Sequence, residues 1–569
     1  MASQQKTTGT SDAADTTDAA IWGREAFLKL LLAEGVTHMF GNPGTTELPI
    51  MHALRDVPGM TYVLGLQESV VVAMADGYAR ASGELVSCNV HVAPGLGNAM
   101  GTLFTAWYSG TPMIVTAGQQ EQGHGLTEPL LYGPLLRMAE PVVKWAVEVN
   151  RLEDLPRIMH RAAKIALTPP TGPVFISLPG DILNLKGPVD LSRASRVRTD
   201  TVPGSALRDE AVSRILAARN PVIMAGHEMV AANAFDEAVE FADLLGAPVY
   251  QQTVPSGAHF PSQHPQYMGD LSRNQLAVHD KLKPHDLLIS LGADILRMSV
   301  YDPVHPLPRS TEVLHIGLND WEMAKNDPAA LAVRADLKET LSILNPAIRE
   351  KGGSALGALA AQRRQELQKT NWNAIRAARI EAARDKRNAV PMNPDWLMQA
   401  IVSKLPDDAI VVEEALVTSR PLLTYLPYKN RHSFFGNCSG GIGWAIAAAV
   451  GISLAKPKQR VVAIIGDGSA MYSIQALWTA AHLKLPITYI IANNGGYRII
   501  KERLRLFHEN ENYIAMDFED PPISSSGLAE GFGMPSVVAG DAAQMESALE
   551  QSFASDGPML IEAMVETGR

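Results

Sequence analysis

Two short motifs carry residues whose oxygen atoms could bind a magnesium ion. They are residues 466–469 (GDGS) and 493–496 (NNGG), and the sequence between them reads as one helix and one strand. Both motifs should therefore follow neighbouring parallel strands, at the edge where open α/β sheets bind ligands. Magnesium prefers oxygen ligands, which the Asp467 carboxylate, the Asn494 amide and the Gly496 carbonyl can supply. A pair of ordinary turns is the alternative, but the joint spacing favours an ion site.

The small residues of the first motif suit a diphosphate bound beside that ion. Gly466 and Gly468 let the backbone come close to phosphate oxygens, because they carry no side chain. Ser469 stands at a predicted helix start, where free backbone N–H groups attract anions. Two phosphate oxygens and a water molecule would then complete the magnesium shell.

The chain resembles the thiamine-diphosphate-dependent enzymes, and among them it is most similar to the benzoylformate decarboxylases. The resemblance covers the whole chain and is carried by FGNPGTTELP, LQESVVVAMADGYARASG, HVAPGLGNAMG, PMIVTAGQQ, VKWAVE, GPVFISLPGD, GIGWAIAAAVG, IGDGSAMYSIQALWTAAH and NNGGY. It implies a pyrimidine-binding domain, a central domain and a diphosphate-binding domain, with thiamine diphosphate and Mg²⁺ as cofactors.

The resemblance also implies catalytic roles for three residues of the first part of the chain. Glu68 would hydrogen-bond the aminopyrimidine ring of the cofactor and so activate it; capping of the helix that it begins is the alternative. His91 would transfer protons near neutral pH, with a purely structural histidine as the alternative. Thr45 matches a family serine that contacts the substrate carboxylate, and threonine keeps the hydroxyl.

Further residues are implied in cofactor binding. Asn98 closes the loop after His91 and would approach the cofactor, although a turn role is an equal alternative. Gly440 and Ile442 resemble the segment that supports the bent cofactor, and Ile442 reads equally well as a core residue. Tyr497 directly follows the second magnesium motif and is expected to contact the cofactor as well.

One departure from the resembled enzymes concerns the substrate pocket. Where they carry a second active-site histidine, two positions before a Tyr-Asp-Pro sequence, this chain has Ser299. Serine is a poor proton donor. His124 could substitute, although a surface-loop histidine is the stronger interpretation, and Arg297 offers another polar contact. The pocket is therefore expected to differ from that of the benzoylformate decarboxylases. Replacements are also found just after NNGGY, where this chain carries Ile499, Ile500 and Arg503.

The leading interpretation is non-oxidative decarboxylation of a 2-keto acid to an aldehyde. A carboligase or lyase is the alternative, because loss of the second histidine would slow aldehyde release. A non-catalytic cofactor-binding subunit is disfavoured by the intact Glu68, Asp467 and Asn494. The resemblance implies a site shared between two subunits, so we expect at least a homodimer. Because the resembled enzymes commonly pair two such dimers, we expect a homotetramer.

Three α/β blocks must position these residues. Apolar runs such as LVSCNV and VVAIIG alternate with amphipathic stretches, which favours parallel sheets with helices on both faces. We predict three doubly wound α/β domains at residues 21–190, 191–350 and 391–569, with a helical linker at 351–390 and a disordered segment at 1–20. No strand of the central block precedes a Gly-x-Gly-x-x-Gly motif, so a dinucleotide site is not favoured there.

Composition narrows the class of protein further. The 49 basic and 60 acidic residues give a formal net charge of −11, which argues against non-specific nucleic-acid binding. The only cysteines are Cys88 and Cys438, read as small buried residues in a reducing compartment. No signal peptide or membrane span is recognised, so we expect a cytoplasmic enzyme with a small-molecule substrate.

Overall fold

The computed structural model describes residues 20–192, 196–299 and 301–567. Apart from Ala20, the predicted disordered segment 1–20 lies outside the described residues. No helix within these ranges is long and apolar enough to cross a membrane. Both thiols are free; Cys88 is buried as predicted, whereas Cys438 is only partly buried and lies against Ser109, with 3.0 Å between Sγ and Oγ.

Most strands belong to three six-stranded sheets. In chain order the strands are β1 Ile21–Trp22, β2 His38–Gly41, β3 Thr61–Leu64, β4 Val86–Val90, β5 Met113–Gln119, β6 Ala146–Glu148, β7 Val174–Pro179, β8 Lys186–Gly187, β9 Pro221–Ala225, β10 Val249–Gln251, β11 Tyr267–Asp270, β12 Leu287–Leu291, β13 Glu312–Gly317, β14 Leu331–Arg334, β15 Ile410–Glu414, β16 Phe434–Gly436, β17 Val461–Gly466, β18 Ile487–Asn493, β19 Ser536–Ala539 and β20 Met559–Met564.

Helices connect successive strands of each sheet. They are α1 Gly23–Ala33, α2 Leu48–Leu54, α3 Glu68–Ser82, α4 Val92–Tyr108, α5 Leu135–Ala139, α6 Leu155–Leu167, α7 Gly180–Asn184, α8 Ser205–Ala217, α9 Glu228–Ala232, α10 Phe235–Leu245, α11 Gln275–Leu282, α12 Leu337–Leu367, α13 Trp372–Arg384, α14 Pro394–Lys404, α15 Leu422–Tyr425, α16 Trp444–Ala455, α17 Asp467–Ala470, α18 Ala476–His482, α19 Arg498–His508, α20 Ser525–Gly531 and α21 Ala542–Ala554. Short 3₁₀ turns are Thr45–Glu47, Gln122–Thr127, Glu140–Val142 and Leu152–Asp154.

Each large sheet is parallel throughout, which confirms the predicted three α/β domains. The strand orders are β3-β2-β4-β5-β7-β6, β11-β10-β9-β12-β13-β14 and β16-β15-β17-β18-β20-β19. The inner strands are continuous apolar runs that are buried on both faces, as expected for a parallel sheet covered by helices. β1 and β8 form a separate antiparallel pair.

The predicted linker region is helical. α12 spans most of its first half and changes direction at Gly353, whose φ of 54° lies outside the helical range. α13 follows after a short break, with the Asn371 side chain accepting the Ala374 N–H at 3.0 Å. α12 begins at Leu337, before the predicted start of the linker. The domain boundaries themselves stay predictions.

Two helices hold the first and third domains together. α3 and α16 run antiparallel, because Gly77 lies directly against Ala448 while Gly451 lies against the backbone of Met74. A Cβ on either glycine would overlap the opposing backbone, so this close approach requires glycine at both positions. The arrangement fixes where the ends of the two helices point, and α3 begins at Glu68.

Candidate active site

The two magnesium motifs meet at the carboxyl edge of the third sheet. Asp467 begins α17 directly after β17, and Asn494 follows the neighbouring strand β18. The Asp467 carboxylate accepts the backbone N–H of Gly496 at 3.1 Å, which ties one motif to the other. The structure therefore places the three predicted metal ligands next to one another.

The charge and burial of this edge fit a cation. Asp467 is only 3% exposed, and burial raises its pKa to about 6 despite several backbone N–H donors. No ion pair among the described residues involves Asp467. The amide oxygen of Asn494 is also buried and lacks a hydrogen-bond partner in the described part of the chain. A buried carboxylate without a counter-charge beside an unpaired amide oxygen matches the oxygen ligands that Mg²⁺ prefers.

Acidic, histidine and cysteine side chains do not form a complete metal shell in the described part of the chain. The described residues contain no group of three or more His, Cys, Asp or Glu suited to a metal ion. The Gly496 carbonyl already accepts the Arg498 N–H at 3.0 Å, although a carbonyl oxygen has a second lone pair. Oxygens of a bound diphosphate fit the remaining positions.

The predicted diphosphate residues line the same place. Gly468 lies under the Tyr497 ring, since a Cβ on Gly468 would stand 3.0 Å from Tyr497 Cε1. Tyr497 in turn packs edge-on against Phe518, with 4.8 Å between the ring centres. Ser469 is buried within the short helix α17. Glycine at position 468 thus lets the Tyr497 ring pack closely against this turn.

The segment before α16 is shaped by a buried carboxylate, Glu414. Its oxygens accept the backbone N–H groups of Gly443 and Ala445 at the start of α16. Burial raises the pKa of Glu414 to about 7, an effect that these backbone donors oppose. Gly440, at a φ of 81°, and the half-buried Ile442 belong to this segment, which reaches the residues that follow α17 through contact of Gly443 with Tyr472.

At the carboxyl edge of the first sheet, Glu68 begins α3 but does not cap it. The cap is Gln67, whose side-chain oxygen accepts the N–H groups of Ser69 at 2.6 Å and Val70 at 3.3 Å. Glu68 is buried, and its carboxylate instead accepts hydrogen bonds from Asn98 at 3.0 Å and Asn42 at 3.4 Å. The capping alternative for Glu68 is therefore not needed to explain this carboxylate.

His91 stands close to Glu68, at the end of β4. Gly95 lies between them, since a Cβ there would be 2.9 Å from Glu68 Oε1 and 3.2 Å from His91 Cβ. The Nδ1 atom of His91 lies 2.7 Å from the carboxylate of Glu47, a residue that sequence analysis did not single out. In the sequence, Glu47 is visible only as the acidic residue of GNPGTTELP, and no local pattern indicates that it contacts His91.

Thr45 lies beside this pair rather than in it. It is exposed and lines a cavity of about 590 Å³, together with Thr46, Arg24 and Gln119. The hydroxyl that reaches His91 belongs to Thr46, at 3.2 Å from Nδ1. The role of Thr45 toward substrate stays a prediction.

The candidates for replacing the second histidine lie elsewhere in the chain. Ser299 is exposed in the loop after β12, and its backbone N–H donates a hydrogen bond to the Arg273 carbonyl at 3.4 Å. Arg297 is engaged with Asp294 and Glu322 and stacks on a tyrosine. His124 bonds locally within its own 3₁₀ turn. Among the described residues, none of the three is hydrogen-bonded to Glu68 or His91.

The two candidate edges are separated within one chain. On the antiparallel helix pair, Glu68 precedes Met74 by six residues, while Gly443 precedes Gly451 by eight residues on the opposite helix. At 1.5 Å per residue, Glu68 and Gly443 are roughly 20 Å apart along this pair. A further hydrogen bond joins the first and third domains, since the Thr479 hydroxyl of α18 donates to the Leu64 carbonyl at the end of β3 at 2.9 Å.

Comparisons with known proteins agree with this arrangement. Residues 21–129 match the family model "Thiamine pyrophosphate enzyme, N-terminal TPP binding domain". Residues 208–344 match the central domain of the same enzymes, and residues 419–563 match the C-terminal TPP binding domain.

Individual relatives are similar over nearly their full length. A benzoylformate decarboxylase of Pseudomonas aeruginosa is 33% identical over 546 residues, covering 95% of this chain and 98% of that protein. The acetolactate synthase large subunit of Haemophilus influenzae is 26% identical, covering 93% of this chain and 92% of that protein.

Solved structures give the same picture. The thiamine diphosphate-dependent 4-hydroxybenzoylformate decarboxylase of Rhodococcus jostii RHA1 superposes with a TM-score of 0.83 at 32% identity, covering 96% of this chain and 99% of that one. The benzoylformate decarboxylase of Polynucleobacter necessarius gives a TM-score of 0.85 at 28% identity over 96% and 99% of the two chains.

Proposed function

We propose, since this chain belongs to the thiamine pyrophosphate enzymes, that its main reaction is the non-oxidative decarboxylation of a 2-keto acid to an aldehyde. Membership of that family makes the protein a thiamine-diphosphate-dependent decarboxylase or carboligase. The observation that carries the choice of decarboxylation is that His91 and the buried Glu68 carboxylate both lie next to Gly95, which puts a proton-transfer residue near that carboxylate. The 33% identity to a benzoylformate decarboxylase supports the same choice.

The third domain would hold the charged end of the cofactor. Asp467, Asn494 and the Gly496 carbonyl would bind Mg²⁺, because among the described residues the buried Asp467 carboxylate has no ion-pair partner and the buried Asn494 amide oxygen has no hydrogen-bond partner. Gly468 and Ser469 would adjoin the diphosphate. The remaining contacts are assigned to Tyr497, Gly440 and Ile442.

The first domain would supply the groups that move or hold protons. Thiamine diphosphate, when bound, supplies a nucleophilic carbon and an electron sink for a 2-keto acid. Glu68 would hold a proton at its carboxylate toward the aminopyrimidine ring, with Asn98 keeping that carboxylate in place. His91 would donate or accept a proton near the substrate, and Thr45 would contact its carboxylate. Ser299 would stand where the resembled enzymes have their second histidine.

The complete site would require two copies of the chain. One chain places Glu68 roughly 20 Å from Gly443 along the helix pair, farther than a cofactor of two rings and a diphosphate can bridge. A two-fold related partner would bring the first domain of one chain to the third domain of the other and would form two equivalent sites. The proposed unit is therefore at least a homodimer, and a homotetramer is the assembly we expect.

Exposed apolar helix faces support this assembly. On α4, Phe104 is 38% and Trp107 is 42% exposed, and the nearby Gly97 and Gly101 leave the helix surface flat. On α19, Lys501 is buried and pairs with Asp517. Ile500 and Phe507 of the same helix are 46% and 50% exposed. Large apolar faces of this kind are typical of subunit interfaces.

A panel of 2-keto acids with aromatic, branched and linear side chains tests the proposed reaction. Carbon dioxide and aldehyde should be released in equal amounts when thiamine diphosphate and Mg²⁺ are present. Absence of carbon dioxide from every 2-keto acid, with cofactor binding demonstrated, would contradict the proposal.

Since two cysteines and an acidic composition are typical of cytoplasmic proteins, we also propose that location.

Carboligation is the second candidate, and Ser299 is the observation that favours it. A pocket without a second histidine would protonate the product less readily and leave more time for an acceptor aldehyde. Adding an acceptor aldehyde to the same assays separates the two reactions. A hydroxy ketone would then form in place of released aldehyde.

A further inference from the structure

We propose that Glu47 is a positioning residue that fixes the ring tautomer of His91, so that Nδ1 carries the proton and Nε2 alone exchanges protons with the reactants. The inference rests on the proposed function, because it assigns an orientation to the proposed proton-transfer group.

The hydrogen bonds around Glu47 are almost complete. Its side chain is fully buried, and the carboxylate accepts the Gly44 N–H at 3.0 Å, the Gly118 N–H at 2.9 Å and the Thr46 hydroxyl at 2.8 Å. His91 Nδ1 lies 2.7 Å from Oε2 of the same carboxylate. Three donors converge on its two oxygens, so toward His91 this carboxylate is a hydrogen-bond acceptor.

The proton count at Thr46 then determines the tautomer. Thr46 has one hydroxyl proton, and Glu47 Oε1 receives it. The Thr46 oxygen also lies 3.2 Å from His91 Nδ1, so toward the ring it can only accept. Both neighbours of Nδ1 are therefore acceptors, and a neutral His91 must carry its proton on that nitrogen. Nε2 is left with a free lone pair.

Two glycines make room for this pair and show that its position is tightly defined. A Cβ on Gly44 would overlap the His91 ring, and a Cβ on Gly118 would overlap the Glu47 carboxylate. Gly118 belongs to β5 and His91 follows β4, so neighbouring strands of the first sheet hold the two members. Close packing of the ring and the carboxylate therefore requires glycine at both positions.

The other titratable groups that face the pair are Tyr62 and Glu68. The Tyr62 hydroxyl is buried without a hydrogen-bond partner in the described part of the chain, and burial, followed by the charge of Glu47, raises the pKa of Tyr62. Tyr62 is therefore neutral over the working pH range. Glu68 Oε1 and His91 Cβ both lie next to Gly95. Among the described residues, Glu47 is the one carboxylate hydrogen-bonded to the ring.

The first domain also contains a matched pair away from the candidate site. Glu34, after α1, is fully buried and lies 2.5 Å from Nδ1 of His160 on α6. It differs from Glu47 in having an arginine partner, Arg196, whose side chain also donates to the Glu34 carbonyl at 2.9 Å. Glu34→Gln is therefore a control for the general cost of neutralising a buried Glu–His pair.

The effect of Glu47→Gln on turnover tests the role of the residue. A glutamine amide can donate to Nδ1 and so stabilise the wrong tautomer, with the proton on Nε2. We expect kcat to fall on the order of 10²-fold or more, while the dissociation constant for thiamine diphosphate changes little. The pH–rate profile should also change, because a neutral amide replaces the carboxylate beside the ring. Glu47→Asp keeps the charge and should recover part of kcat; Glu34→Gln should change neither kcat nor the profile.

The tautomer itself is measured by ¹⁵N NMR of histidine-labelled holoenzyme, with His91→Ala identifying the signal. We expect Nδ1 protonated in the wild type and Nε2 protonated in Glu47→Gln. A wild-type His91 protonated at Nε2, or a folded Glu47→Gln with unchanged kcat and pH profile, would overturn the inference. If Glu47→Gln does not fold, the wild-type spectrum and Glu47→Asp decide it. If no 2-keto acid is turned over at all, the proposed function fails, and the NMR result still tests the geometry.

Discussion

The carboxyl edges of the first and third sheets carry the two halves of the candidate site, and they differ in how their polar groups are satisfied. In the first sheet, Glu47 and Glu68 each accept hydrogen bonds from neighbouring side chains or backbone. In the third sheet, Asp467 is buried without a cationic partner, and Asn494 Oδ1 has no hydrogen-bond partner in the described residues. The two carboxylates of the first edge are satisfied by protein donors, as proton-handling groups require, whereas we propose that a cation completes the edge of the third sheet.

The largest expected effect comes from removing the charge at the incomplete edge. Asp467→Asn deletes the one carboxylate among the proposed Mg²⁺ ligands, so the cofactor should no longer be retained. We expect activity to fall by about 10³-fold or more. Isothermal titration of the apoenzyme with thiamine diphosphate and Mg²⁺ checks this. Unchanged binding would place the metal elsewhere.

A smaller effect is expected at the carboxyl edge of the first sheet. Glu68→Gln leaves the third domain intact, so cofactor affinity should stay close to that of the wild type. Turnover should drop on the order of 10² to 10⁴-fold, because a neutral amide cannot hold a proton toward the aminopyrimidine ring. Hydrogen–deuterium exchange at C2 of the bound cofactor reports this step. An unchanged exchange rate would show that Glu68 has only a structural role.

The product ratio should respond less strongly to a change in the loop after β12. Ser299→His restores a proton-transfer group where the resembled enzymes have one. We expect the ratio of released aldehyde to ligated product to rise several-fold with an aromatic or branched 2-keto acid. Gas chromatography of both products gives the ratio. A folded variant with the wild-type ratio would remove Ser299 from the account.

The smallest effect concerns stability without cofactor. The pKa of Asp467 is raised from 3.8 to about 6 in the folded protein, so its ionised form is disfavoured there. The apoenzyme should therefore lose stability as pH rises from about 4 to about 6, by up to roughly 3 kcal/mol above that range. Asp467→Asn removes the penalty and should raise the apoenzyme Tm by a few degrees at pH 7.5 but not near pH 4. An unchanged or lower Tm at pH 7.5 would mean that the edge is not electrostatically incomplete.

The same contrast explains what sequence analysis could and could not predict. The sheets and the magnesium motifs follow from local patterns, namely apolar strand runs and Gly-rich loops. The role of Glu68 is implied by the resemblance to the thiamine-diphosphate-dependent enzymes, since a carboxylate at a helix start would by itself indicate only a cap. The partnership of Glu47 with His91 joins residues 44 positions apart in the chain, and no local pattern encodes it. The Gln67 cap was missed for a different reason, because its neighbour Glu68 is also a residue type favoured at a helix start.

Mixing two inactive variants tests most directly whether the two edges form one site across two chains. Glu68→Gln and Asp467→Asn subunits are combined under conditions in which exchange is verified by mass spectrometry. In a mixed dimer, one site receives both lesions and the other receives neither. We expect decarboxylase activity to return, to about half of the wild-type value per mixed dimer. Verified exchange without any recovered activity, or a fully active monomer in sedimentation at the assay concentration, would contradict it.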